Sequence, residues 1–179
     1  MLRLFVGIDL PPELKLRLSL LATGVPGAKW VDAGNYHLTL RFIGEVDEGT
    51  ASDIDAALAQ IRAPGFPLAL AGVGQFGDAK PRALWAGVEK NPALAHLHDK
   101  VEHALVRTGI EPDTRRYAPH VTLARLRNPD LPKLREFLTL NALWRAEPFR
   151  VERFSLIASY LTKSGSIYED QADYPLRPA

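Results

Sequence analysis

The chain has 179 residues, room for one compact domain or for two small lobes sharing a core. Its 22 Lys and Arg against 21 Asp and Glu leave a net charge of +1, so any attraction for phosphate must come from a local cluster. There is no cysteine, which excludes disulfides and thiolate metal sites.

The first apolar run, residues 4–9, is interrupted too early for a signal peptide and reads as a buried strand. No stretch approaches the roughly 20 apolar residues of a membrane span, so no membrane association is expected; no obligate protein partner is evident, and a cytoplasmic location, with which the absence of cysteine is compatible, is expected. Pro11 and Pro12 then open a helix, because proline in a first turn gives up only an amide without a helical partner. Leu14, Leu18 and Leu21 follow at helical spacing, and Pro26-Gly27 closes the element.

Residues 29–32 form a short strand and 37–44 a longer one. A second helix covers 47–62, with Ile54, Leu58 and Ile61 on one face. Strands at 66–70, 73–76 and 83–89 are separated by Gly and Pro turns. A third helix runs from Asn91-Pro92 to Gly109 on a stripe of Leu94, Leu97, Val101 and Leu105. A strand at 117–126, a helix at 130–141 and a hairpin of 149–161 with 167–176 complete the chain.

One regularity sets the architecture: helix, His-x-Thr strand, helix occurs twice. The first helices begin near Pro11 and Pro92, the motif histidines are His37 and His120, and the second helices begin near Glu48 and Asp130. The offsets are 81, 83 and 82 residues. A duplicated unit packs about a pseudo-two-fold axis and brings equivalent strands to a shared cleft. Residues 1–179 are therefore expected to form a single bilobal domain, with His37 and His120 converging.

Along a strand, residues two apart share a face. In His37-Leu38-Thr39-Leu40, the histidine and threonine point one way and the leucines point into a core; His120-Val121-Thr122-Leu123 repeats this. A lone His-x-Thr is more often a half-buried histidine bonded to a carbonyl than a site. Core histidines, however, have no reason to recur with the same threonine at matching places in a repeat. A histidine and a hydroxyl on an open strand face, twice, suit a phosphate site, and in-line displacement at phosphorus needs one group to take a proton from the nucleophile and another to give one to the leaving oxygen. Imidazole serves either task near neutral pH. The threonine hydroxyls can donate to the non-bridging oxygens, where charge builds.

These segments resemble the 2H phosphoesterase superfamily, in particular the RNA 2′,3′-cyclic phosphodiesterases, also called 2′-5′ RNA ligases. The resemblance is carried by Arg3-Leu4-Phe5-Val6-Gly7-Ile8-Asp9-Leu10-Pro11, His37-Leu38-Thr39-Leu40-Arg41-Phe42-Ile43-Gly44-Glu45 and Pro119-His120-Val121-Thr122-Leu123-Ala124-Arg125. Pro81-Arg82-Ala83-Leu84-Trp85-Ala86-Gly87-Val88 and the tail from Ser159 through Gly165 to Tyr168 also fit. The resemblance implies an α+β fold of two pseudo-two-fold-related lobes, antiparallel sheets lining a central cleft and helices outside. It implies no metal, no cofactor, and hydrolysis of a cyclic RNA end to a 2′-phosphate, with 2′-5′ ligation as the reverse reaction. His37 would be the acid toward the ribose 3′ oxygen and His120 the base for water. The alternatives are an RNA-end binder without turnover, and a related enzyme acting on a small cyclic nucleotide.

Arg125 completes an H-x-T-x-x-R pattern and is a candidate phosphate ligand. Strict alternation would turn it away from His120, so the strand must end or bulge there. Arg41 shares the face of His37 and Thr39 by parity, which makes it a candidate RNA contact or else a solvated surface residue. Tyr168 is a further candidate RNA contact. Lys80, Arg82, Arg115 and Arg116 are candidates for the RNA backbone, each more simply a surface charge. His96, His98 and His103 read as surface residues. Trp30, Tyr36, Phe42 and Tyr117 flank the motifs, with apolar packing the simpler role and base stacking the alternative.

Overall fold

The computed structural model describes residues 1–178. Two four-stranded antiparallel sheets carry it. One has the order β10-β9-β1-β3, from β1 (Leu2–Asp9), β3 (His37–Val46), β9 (Arg153–Thr162) and β10 (Gly165–Pro175). The other has the order β2-β7-β6-β5, from β2 (Ala28–Trp30), β5 (Leu70–Phe76), β6 (Ala83–Val88) and β7 (His120–Leu126). A small pair joins β4 (Phe66–Leu68) to β8 (Phe149–Val151). β1 and β3 in one lobe correspond to β6 and β7 in the other. The motif strands β3 and β7 meet where the sheets abut.

Four helices cover the core faces: α1 (Pro12–Ser19), α2 (Glu48–Ala59), α3 (Pro92–Arg107) and α4 (Leu131–Leu140). Three begin on a side-chain cap. Asp47 accepts the amide of Thr50, Asn91 that of Leu94, and Asp130 that of Lys133, each filling one of the amides a helix start leaves unpaired. Leu14 and Leu18, Ile54 and Leu58, and Leu134 and Phe137 are the buried faces of α1, α2 and α4. On α3 the buried stripe is Leu94, Leu97, Val101, Ala104 and Leu105. These side chains and the inward residues of both sheets form one continuous cluster, so the lobes share a core.

The predicted elements differ from the observed ones mainly at ends and breaks. Residues 117–119 lie outside β7. The single strand expected over 149–161 is two, divided at Glu152, because β8 pairs with β4 while β9 pairs with β1.

Irregularities in the sheets decide where the site residues point. Between Val6 and Gly7, β1 advances one residue while β3 advances from Arg41 to Thr39, leaving Leu40 as an extra residue. A second shift follows at Ile43, next to Gly44, whose φ of 94° a side chain would strain. The other lobe has the same device: Trp85 faces Thr122 and Leu84 faces Ala124, leaving Leu123 extra.

Candidate active site

The bulge in β3 moves Phe42, not Arg41, onto the open face with His37 and Thr39. The equivalent bulge in β7 does the same for Arg125, which therefore shares the open face of His120 and Thr122. Phe42 and Arg125 stand five residues after their histidines and occupy matching places in the two lobes.

Each histidine is pinned in the same way. His37 Nδ1 donates to the carbonyl of Asn35 at 2.8 Å, and His120 Nδ1 donates to the carbonyl of Ala118 at 2.8 Å. A carbonyl can only accept, so the neutral rings carry their proton on Nδ1 and present an unprotonated Nε2 that can take one up. Thr39 Oγ1 lies 2.8 Å from His37 Nε2.

Aromatic rings frame both imidazoles. Phe5 and Tyr168 lie 4.7 and 5.2 Å from His37 between centroids, the latter edge-on. Phe76 lies edge-on to His120 at 4.7 Å, and Trp85 is 6.3 Å away. Burial in this apolar frame holds the pKa of both histidines below the ordinary value, against the backbone hydrogen bonds, which favour the charged form. For His37, the Asp9 carboxylate also favours the charge, while His120 and Lys15 oppose it. The charge of His120 in the other lobe is thus one of the influences on His37.

Gly7 faces Thr39 across the ladder, and a Cβ there would meet the Leu38 carbonyl at 3.2 Å and the His37 ring at 3.5 Å. A glycine keeps this floor open beneath the imidazole.

Beside His37 the cleft widens into a pocket of about 280 Å³, lined by Arg3, Phe5, Phe42, Arg125 and Tyr168 among others. Arg125 and Arg3 lower the pKa of the Tyr168 hydroxyl, though burial outweighs them and leaves it raised. Arg125 and Tyr168, drawn from different lobes, thus border one space.

Arg41 is the expectation the structure overturns. It lies on the core face, 7% exposed, in an ion pair with Glu102 of α3, and is unavailable to RNA. Parity failed because the bulge at Leu40 reverses the alternation after Thr39. His98 is also no simple surface residue. It is half-buried and stacked on Tyr117 at 3.9 Å with the rings 4° from parallel. His96 and His103 are exposed. Among the flanking aromatics, Tyr36 is buried, Trp30 packs near Phe137, and only Phe42, 62% exposed, stands free on the open face. Arg115 pairs with Asp113, holding that carboxyl at about 2, and Lys80, Arg82 and Arg116 are exposed.

Residues bordering the site that were not foreseen as site residues include Arg3, Phe5, Phe76, Trp85 and Lys29, the last opposite Arg125 on β2. Parity from His37 and His120 could not find them, because they sit on neighbouring strands whose pairing is not written in the chain. Among the described residues, no three His, Asp or Glu side chains cluster as metal ligands. No described helix is long and apolar enough to cross a membrane.

The family model of the 2′-5′ RNA ligase superfamily matches residues 12–162. An RNA 2′,3′-cyclic phosphodiesterase of Aeropyrum pernix is 39% identical over 158 residues, covering 87% of this chain and 89% of that one. One of Thermotoga maritima is 36% identical over 179 residues, covering 94% and 92%. Among solved structures, LigT of Escherichia coli complexed with 3′-AMP superposes with a TM-score of 0.79 at 28% identity, covering 98% of each chain.

Proposed function

The chain belongs to the 2′-5′ RNA ligase superfamily, and from that membership we propose that it hydrolyses 2′,3′-cyclic phosphate ends of RNA with His37 and His120 as its proton-transfer pair. The activity follows from relatives of that name matched over most of both chains. The observation that carries the residue assignment is the pinning of both Nδ1 atoms to the carbonyl two residues upstream. It leaves one Nε2 on each of two strands that meet across the lobes.

The reaction is an in-line displacement at phosphorus. Neutral His120 takes a proton from water as its oxygen bonds to phosphorus. The bond from phosphorus to the ribose 3′ oxygen breaks on the opposite side, and protonated His37 supplies that oxygen with its proton. The product is a 2′-phosphate beside a free 3′ hydroxyl, and His120 ends charged where His37 did before. Thr122 and Arg125 are donors for the non-bridging oxygens, the arginine through its two-pronged fork, and Thr39 joins them once His37 is protonated and no longer accepts its hydroxyl proton. The pseudo-symmetry makes the roles of the two histidines nearly interchangeable, and the direction of proton transfer follows the family resemblance. Lys29, Arg3 and the Phe42 ring line the path an RNA strand would take away from the phosphate. No step is routed through a bound metal or cofactor, and a cytoplasmic setting is part of this proposal.

The test is an oligonucleotide with a 2′,3′-cyclic end, assayed in excess EDTA with the position of the product phosphate determined. A cyclic mononucleotide run alongside measures how much the chain beyond the end contributes. His37→Ala and His120→Ala should each lower kcat by roughly 10²–10⁴-fold. Retention of rate by either variant, or a 3′-phosphate product, would overturn the assignment.

A further inference from the structure

Arg41 is a buried charge that this chemistry does not use. It leaves β3 four residues after His37 and crosses to the other lobe. Its Nε donates to Glu102 Oε2 at 2.6 Å and its Nη2 to Oε1 at 3.3 Å. The same Nη2 donates to the carbonyl of Glu111 at 2.5 Å, and Nη1 to that of Phe42 at 2.5 Å. Glu102 in turn accepts the amide of Asp113 on Oε1 at 2.9 Å. Burial pushes the Glu102 carboxyl up, but the hydrogen bonds from Arg41 and Asp113 outweigh it, so the pair stays ionised.

Residues 111–119 have no regular secondary structure and lead directly into His120. Arg41 and Glu102 hold one end of this segment, at Glu111 and Asp113. At the other end the Tyr117 hydroxyl donates to the carbonyl of Thr39 at 2.9 Å, and its ring lies on His98 of α3. The next residue, Ala118, supplies the carbonyl that fixes His120 Nδ1. The strand of His37 is therefore tied twice to the segment that orients His120.

Stability alone does not account for the pair. A buried ion pair is a poor stabiliser, because desolvation offsets most of its attraction, and apolar side chains of similar volume often serve the core as well. Apolar side chains cannot hold the Glu111 carbonyl and the Asp113 amide at fixed points.

We propose that Arg41 and Glu102, with Tyr117, are positioning residues that fix the segment 111–119 against β3 and thereby set the placement of His120 relative to His37. The proposal rests on the two-histidine reading. The decisive variant is Arg41→Met with Glu102→Leu, which removes both charges together and leaves neither unpaired. Its melting temperature should return close to wild type, while kcat falls about 10- to 100-fold with KM unchanged, the scale of a misplaced catalytic group. Arg41→Lys keeps the charge but cannot span the carboxylate and the Glu111 carbonyl, so its kcat should lie between.

Wild-type kcat in the double variant overturns the proposal. So does a loss of kcat that tracks the melting temperature across the series, since that is a purely structural role. Should the double variant fail to fold, Tyr117→Phe decides, because it removes one hydroxyl from the same connection; a kcat equal to wild type then overturns it. His37→Ala and His120→Ala are measured beside these. If they leave the rate intact, the two-histidine reading has failed; if they abolish it and the double variant does not slow, the positioning role has failed.

Discussion

Gly74 lies under the indole of Trp85, and replacing it with alanine probes how tightly the wall beside His120 is built. An added Cβ would stand 2.2 Å from Trp85 Cη2 and 2.3 Å from Cζ2. Carbon atoms rest at about 3.5 Å or more, so the ring edge must retreat by roughly 1.3 Å. Nothing in the backbone of Gly74 requires glycine, since its φ is not in the left-handed region, and the cost is one of packing alone. The ring has little freedom to retreat, with Phe76 at 5.5 Å and His120 at 6.3 Å between centroids. Overpacking of this kind costs about 1–3 kcal/mol. For a chain of this size that lowers the melting temperature by about 2–4 °C per kcal/mol. A shift of about 1 Å passed on to His120 is enough to reduce kcat by up to about 100-fold. The assay is a thermal melt paired with initial rates on a cyclic-ended oligonucleotide. Trimming the ring in the same background, with Gly74→Ala and Trp85→Leu together, should recover the melting temperature. If Gly74→Ala alone melts and turns over like wild type, the wall is loose and the reasoning fails.

Arg125→Lys should lower kcat/KM although the charge is kept, because lysine lacks the planar fork; Arg107→Lys, exposed on α3, should be silent. Equal kinetics for the two would return Arg125 to the surface. The pKa values of His37 and His120 are held below the unfolded value of about 6.5, so below that pH the unfolded chain binds more protons and stability falls as pH drops through the folded values. Melting temperatures read between about pH 7.5 and pH 5 should therefore fall less steeply for His37→Asn with His120→Asn than for wild type. Parallel slopes would show that neither histidine is buried in its neutral form. The same depression places the optimum of kcat/KM for the free enzyme on the acid side of about 6.5, with two apparent values that belong to the pair.

The repeat was legible in the sequence because it is written twice at one spacing, and helix starts were legible because Asp47, Asn91 and Asp130 are caps whose chemistry is local. Arg41 and Arg125 show where such reading stops. Alternation is a property of an uninterrupted ladder, and one extra residue, Leu40 or Leu123, inverts everything after it. The family pattern already required a bulge before Arg125. The duplication implied the same bulge before Arg41, which would have turned that arginine to the core and Phe42 to the cleft. Phe76 and Trp85 were out of reach for another reason: their place beside His120 depends on which strands become neighbours, a long-range outcome of folding.

The strand order also bears on how the molecule comes into being. The sheet that carries His37 is completed by β9 and β10, the last strands of the chain, and Tyr168 reaches His37 from β10. The other sheet borrows β2 from between α1 and β3. Neither half of the duplication can therefore assemble its own lobe. During synthesis the open flank of β1 waits with unpaired backbone groups until residues 153–175 emerge, an interval in which another copy could pair there instead. Expressed as two fragments divided between the repeats, the polypeptide should recover activity only on mixing.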